Sequence, residues 1–189
     1  MKPAVLLSDE PGPYRGLEVD CFDLYAMSPP FTGGQPVIAH PCGRPWGHGR
    51  HMRRTPQEER FLGLWALAQV RKWGGVLVHP ANSQLWAAAG LPLPGHGWDV
   101  LGGWTMPVWQ SWFGHPAPKP SWLYIVGYQG DQFPAMPFRL RGAHRPPQGG
   151  ATVDGHQVPL TMAHWLCGLA GRIGDLEPWR YADFSHAAA

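Results

Sequence analysis

Charge is scarce in this chain: Lys, Arg, Asp and Glu make up only 15% of its 189 residues, and the formal net charge is +2. A protein that grips a duplex through many phosphates carries a concentrated basic field, and so light a balance excludes one spread over the whole surface. Cysteine is sparse too, with three residues at positions 21, 42 and 167. Their wide spacing, with no signal-like start, argues against a disulfide framework and makes the cytoplasm the expected compartment. Long hydrophobic runs are also missing. No stretch approaches the roughly 18 apolar residues needed to span a bilayer, so neither membrane insertion nor export is expected.

Hydrophobic residues, at 44%, exclude a disordered chain and leave a globular one. The length fits one core and is short for two, so a single domain is expected over 1–180, with a tail at 181–189. The 22 prolines and 25 glycines are spread along the chain, which implies many stiff loops between short elements. Most of the 11 tryptophans must anchor core or loops, because aromatic side chains bury large areas.

Two segments have the pattern of buried parallel strands, Pro36-Val37-Ile38-Ala39 and Gly75-Val76-Leu77-Val78, and each runs into His-Pro. Between them a helix is predicted from Pro56 to Trp73. Thr55 is its N-cap, Pro56 its first residue and Gly74-Gly75 its stop, and Phe61, Leu62, Trp65, Leu67, Ala68 and Val70 recur at helical spacing. A strand, helix and strand in that order form a crossover unit, so the two strands should be parallel and both His-Pro loops should leave the same sheet edge. Ligands of open α/β sheets bind at that edge.

Further strands are predicted at Ala4–Leu7, at 18–22 with Asp23 at its end, at 105–110 with Pro107 marking an edge, and at 121–128. A late helix over 159–172 carries Leu160, Ala163, His164, Leu166, Cys167 and Ala170 on one side, and the polar stretch 129–157 reads as a surface excursion. The expected class is α/β, with a mostly parallel sheet and flanking helices.

The chemistry-bearing residues gather in two loops, HPCGRPWGHGRH at 40–51 and HPANSQLW at 79–86. Cys42 follows a buried strand on a loop stiffened by Pro41 and freed by Gly43. A thiol there is held yet reachable, and Arg44, His40 and His48 nearby would favour the thiolate. A small buried apolar cysteine is the alternative. Arg44, Arg50, Arg53 and Arg54 near a helix N-terminus could cradle a phosphate or form a solvated basic loop. His40, Cys42, His48, His51 and His79 are potential zinc ligands, but no spacing matches a known finger and no metal is assigned. Asn82 and Ser83 would contact substrate or simply turn the chain, and Trp46 would stack on substrate or pack.

The order HPCGRPWG, VLVHPANSQLW, FGHPAPKPSWLYIVG and VPLTMAHWLCGLA resembles the catalytic half of the cytosine carbon-5 DNA methyltransferases, and small phage and prophage proteins related to them. The likeness covers roughly 36–128 and 158–171, and it rests on the order of the motifs. It implies a Rossmann-like domain, reduced relative to a full methyltransferase, acting on a nucleotide or DNA. Cys42 would attack carbon 6 of a pyrimidine, and His40 or His79 would move protons. Arg44, Trp46, Asn82, Ser83 and Lys119, the last in the Lys119-Pro120-Ser121 motif, would hold substrate. The implied cofactor is S-adenosylmethionine, with Asp23 and Pro41 as candidate donor-binding residues.

The chain departs from the pattern in two places: no Phe-x-Gly-x-Gly loop is found, and Val78 stands where those enzymes carry glutamate. About thirty residues between Lys119-Pro120-Ser121 and the last helix are too few for a target-recognition domain, so a partner protein would supply recognition or donor-binding elements. Two other readings remain open: a non-catalytic module binding nucleic acid or protein, and a metal-dependent hydrolase.

Overall fold

The computed structural model describes residues 1–7, 12–25, 30–47, 56–128, 133–137 and 158–175. Six strands, β1 (Ala4–Leu7), β2 (Asp20–Asp23), β3 (Val37–His40), β4 (Gly75–Pro80), β5 (Gly103–Trp109) and β6 (Pro120–Val126), form one sheet in the order β2-β1-β3-β4-β6-β5. β1 to β4 are parallel, and β6 runs antiparallel between β4 and β5. The fold is α/β, with a six-stranded mixed sheet, mostly parallel, and few flanking helices.

Apolar runs form the central strands because both sheet faces are covered. Helix α1 (Pro56–Trp73) packs on one face, where Ala66, Leu67 and Val70 meet Leu6, Val37, Ala39, Leu77 and Tyr124. A short helix, α2 (Leu85–Ala88), was not anticipated. Helix α3 (Leu160–Asp175) packs on the other face, where Met162, Leu166, Leu169 and Ile173 meet Val5, Ile38, Val76, Val78 and Ile125. Alternation along each strand sends neighbouring residues to opposite helices. α1 has the bounds read from its sequence, and β3 and β4 are parallel as the crossover required.

Both helical faces need correction. Phe61 is 65% exposed and Ala68 is exposed as well, and the buried stripe of α1 runs through Gly63, Ala66, Leu67 and Val70. The cause is Trp46, whose indole nitrogen would lie 2.9 Å from a Cβ at Gly63 and so draws that glycine to the contact. On α3, Leu160 and His164 face outward while Met162, Trp165 and Leu169 are buried. Apolar residues lie nearly all round this helix, so periodicity alone does not choose its face.

Two local devices fix the frame. Gly75 has φ +136, and a Cβ there would sit 1.9 Å from the Val37 carbonyl oxygen, so only glycine permits the approach of β3 and β4. Asp99 ties α1 to the β5–β6 hairpin. Its Oδ1 accepts from the Leu101 and Gly103 amides at 2.9 and 2.8 Å, and its Oδ2 accepts from the Tyr124 hydroxyl at 2.7 Å and Arg71 Nη2 at 3.4 Å. Burial, and then the bond to Asp99, push the Tyr124 hydroxyl above its ordinary pKa. Pro107 lies on the edge strand, where a missing N–H is tolerated.

Among the described residues no helix is long and apolar enough to cross a membrane. Thr55, the cluster at 48–54, most of 129–157 and the tail lie outside the described residues.

Candidate functional site

Four parallel strands end at one edge of the sheet, and the hairpin meets them there because Pro80 pairs with Ser121 and Trp109 with Pro120. Topology therefore brings Asp23, His40, Pro41, Cys42, His79, Gln110, Lys119 and Ser121 to that edge.

His40 closes β3 on the α3 side, and its Nε2 lies 2.6 Å from the hydroxyl of buried Tyr14. Burial first, then the charge of Lys119 and then His79, lower the His40 pKa from 6.5 to about 3. Tyr14 is raised well above its ordinary value, by burial first and then by Cys167 and Cys21. Both groups are therefore neutral near pH 7, and with the proton on Nδ1 of the imidazole the phenol donates to Nε2. A neutral His40 cannot favour a thiolate by charge, which corrects the role read from sequence for the imidazole beside Cys42.

His79 leaves β4 toward the opposite face. Its ring sits edge-on to Trp86 at 6.2 Å between centroids, and Trp86 packs on Trp122 at 5.3 Å. Trp86 is fixed in turn by donating from Nε1 to the Pro80 carbonyl at 2.8 Å. His79 is 1% exposed, and among the described residues neither ring nitrogen meets a partner with hydrogen-bond geometry. Burial lowers its pKa from 6.5 to about 4, with the Pro41 backbone acting in the other direction. The two His-Pro loops do touch: a Cβ at Gly43 would lie 3.1 Å from Pro80 Cγ and 4.0 Å from His79 Cε1. Backbone adjacency is as expected, but the imidazole at 79 is turned under tryptophans and away from the side of His40.

Cys42 is a free, partly buried thiol on the loop after β3, and Arg44 beside it is exposed. Lys119 has φ 40, and among the described residues no other non-glycine has a positive φ. Lying between Pro118 and Pro120, it holds a conformation that L side chains rarely adopt, and strain of this kind clusters at functional sites. Its carbonyl accepts from the Gln110 amide at 3.3 Å. Gln110 Nε2 donates to Ser121 Oγ at 3.0 Å within the buried edge. His115 accepts at Nδ1 from the Ala117 amide at 3.0 Å.

The other predicted residues divide. Trp46 is buried against Gly63 with Arg60 over its ring at 5.3 Å, which makes it a packing residue. Ser83 accepts at Oγ from the Leu85 amide at 3.0 Å and so turns the chain into α2, while Asn82 is exposed. Pro41 is buried, with its backbone close to His79. Asp23 is exposed at the end of β2, its Oδ1 accepting from the Tyr25 amide at 2.7 Å. Two strand spacings, about 10 Å, separate it from β3.

Eight buried side-chain polar atoms lack a partner among the described residues, and four of them belong to this edge: both nitrogens of His79, Gln110 Oε1 and His115 Nε2. Orphaned polar atoms are expensive in a core, and half of those found among the described residues collect here. Tyr14, Gln110 and His115 were missed from the sequence. Only the position of Gln110 at the end of a predicted strand could have signalled one of them. Among the described residues no group of three or more His, Cys, Asp or Glu could hold a metal ion; His48 and His51 lie outside them.

The class this architecture defines is an α/β protein with its polar, chemistry-bearing residues at the carboxyl ends of parallel strands. Comparison with protein-family models, with curated proteins and with solved structures gives no match in any of the three.

Proposed function

We propose that this protein modifies a pyrimidine base in a nucleotide or in DNA, with Cys42 as the nucleophile. The observation that carries the reading is the convergence at one strand edge of a reachable thiol, a strained cationic Lys119 and the neutral Tyr14–His40 pair. The Cys42 thiol gives its proton to solvent and the sulfur adds to carbon 6; the 5,6 double bond opens, carbon 5 takes a proton, and loss of the original carbon-5 hydrogen with expulsion of the sulfur restores the base. The neutral Tyr14–His40 pair holds the edge beside the thiol, and Lys119 and Arg44 face the phosphate.

The Phe-x-Gly-x-Gly loop of the related enzymes is missing from the sequence after β1, which continues Ser8-Asp9-Glu10-Pro11-Gly12. No methyl-transfer step is derived.

A donor-free assay tests the reading: loss of deuterium from carbon 5 of cytosine in an oligonucleotide. Cys42-dependent exchange is expected, abolished by Cys42→Ser; exchange unchanged in that variant removes the thiol from the chemistry. The missing glycine loop, with Val78 in place of glutamate, also favours a second reading, an inherited fold kept as a nucleic-acid-binding module. Salt-sensitive oligonucleotide affinity that survives Cys42→Ser, with no exchange in the wild type, would select it.

A further inference from the structure

Two of the remaining orphaned atoms, Trp104 Nε1 and Tyr128 Oη, belong to residues lining a single cleft of about 490 Å³ outside the β5 edge of the sheet. This cleft is distinct from the strand-end edge: Trp104 pairs with Ile125 near the far end of β6, whereas the Cys42 edge is marked by the Trp109–Pro120 pair. Its walls are aromatic. Trp98 packs on Trp104 at 5.8 Å between centroids, Trp104 on Phe133 at 6.0 Å, and Phe133 on Tyr128 at 5.1 Å. Trp98 remains 55% exposed, which leaves much of its surface free. Glycines at 95 and 97, both with φ +82 and with nothing within 4 Å of where a Cβ would stand, keep the mouth open. None of the described lining residues is charged.

We propose that this cleft binds an uncharged planar heteroaromatic ring, the chemical class of a nucleobase or its nucleoside. The described lining residues carry no charge and so favour a neutral ligand, because a desolvated charge would meet no counter-charge among them. The volume lies within the range of small-molecule sites. Ring faces at these spacings offer a stacking platform, and base stacking on aromatic side chains tolerates any base. The orphaned groups call for a ligand with a polar edge: an indole N–H can only donate, so the ligand must accept, and the Tyr128 hydroxyl can donate or accept. Tyr128 is buried, so its bare hydroxyl weakens the unliganded protein, and a ligand that pairs with it would relieve that cost. The proposal stands independently of Cys42.

The test is calorimetric titration of the full chain with adenosine and with cytidine, using maltose as an uncharged polyol control. Both nucleosides are expected to bind and maltose is not. Because the Tyr128 hydroxyl has no partner among the described residues, Tyr128→Phe should leave the Tm unchanged or raise it, yet weaken nucleoside binding about fivefold. Trp98→Ala, at an exposed position, should weaken it about tenfold or more, and Cys42→Ser should leave it unchanged. The proposal is overturned by no heat with either nucleoside at millimolar concentration, by affinity indifferent to both Tyr128→Phe and Trp98→Ala, or by maltose binding with the same dependence on those residues. Loss of binding in Cys42→Ser alone would place the nucleoside at the strand-end edge and also overturn it.

Discussion

Replacing His79 with Phe should make the protein at least as stable at neutral pH and much less sensitive to acid. The ring of His79 is buried edge-on to Trp86, with neither nitrogen meeting a partner in good hydrogen-bond geometry among the described residues. Phe fills the same slot without them, and removing an unsatisfied buried polar group is worth about 1 kcal/mol or more at pH 8. The pH effect follows from linkage. The folded pKa is about 4 against an ordinary 6.5, so the unfolded chain binds the extra proton between those values. The stability tied to this group is therefore present above 6.5 and is lost as the pH falls toward 4. Between pH 8 and pH 5 the loss comes to about 2 kcal/mol for His79, and His40, lowered to about 3, adds about 2 kcal/mol more. Urea unfolding at the two pH values should show a loss near 4 kcal/mol from this pair in the wild type, roughly, and about half that in His79→Phe. Equal pH dependence in the two proteins, or a variant weakened by more than about 1 kcal/mol at pH 8, would refute the picture of a neutral, unpartnered imidazole.

Gly75→Ala should cost more than about 4 kcal/mol or prevent folding, since its Cβ would strike the Val37 carbonyl. Gly90→Ala, at φ +61 with open space around it, should cost only about 1 kcal/mol, and thermal unfolding compares the two. Asp99→Ala removes the acceptor for two amides, Tyr124 and Arg71, and should cost about 3 kcal/mol in chemical denaturation. Tyr14→Phe removes the 2.6 Å bond to His40 and should cost about 1–2 kcal/mol. If the pyrimidine chemistry holds, it should also slow carbon-5 exchange at least about tenfold with little change in KM.

The site was partly legible in the sequence. Cys42, His40, His79 and Lys119 lie in or beside loops whose strands announce themselves by apolar runs ending in His-Pro or starting after Lys-Pro, and all four come to one edge. Trp46 shows the limit: its place beside Cys42 in sequence suggested a substrate surface, while Gly63, on the helix that follows, offers it a slot in the core. Tyr14 was invisible because its partner is 26 residues away and no local pattern marks it. The Asp99–Tyr124–Arg71 clasp was missed for the same reason, its members being separated by 25 to 53 residues.

Periodicity, caps and glycine stops act within a turn or two of the chain, so the amino-acid sequence alone determined the six strands, the bounds of α1, the parallel pairing of β3 with β4, and the edge at which the loops gather. Only tertiary structure decided which face each helix buries, that His40 and His79 turn to opposite sides of the sheet, and where the orphaned polar atoms collect. Those outcomes depend on which distant side chain reaches a given space first and on how far it excludes water, and neither is a property of any short stretch of chain.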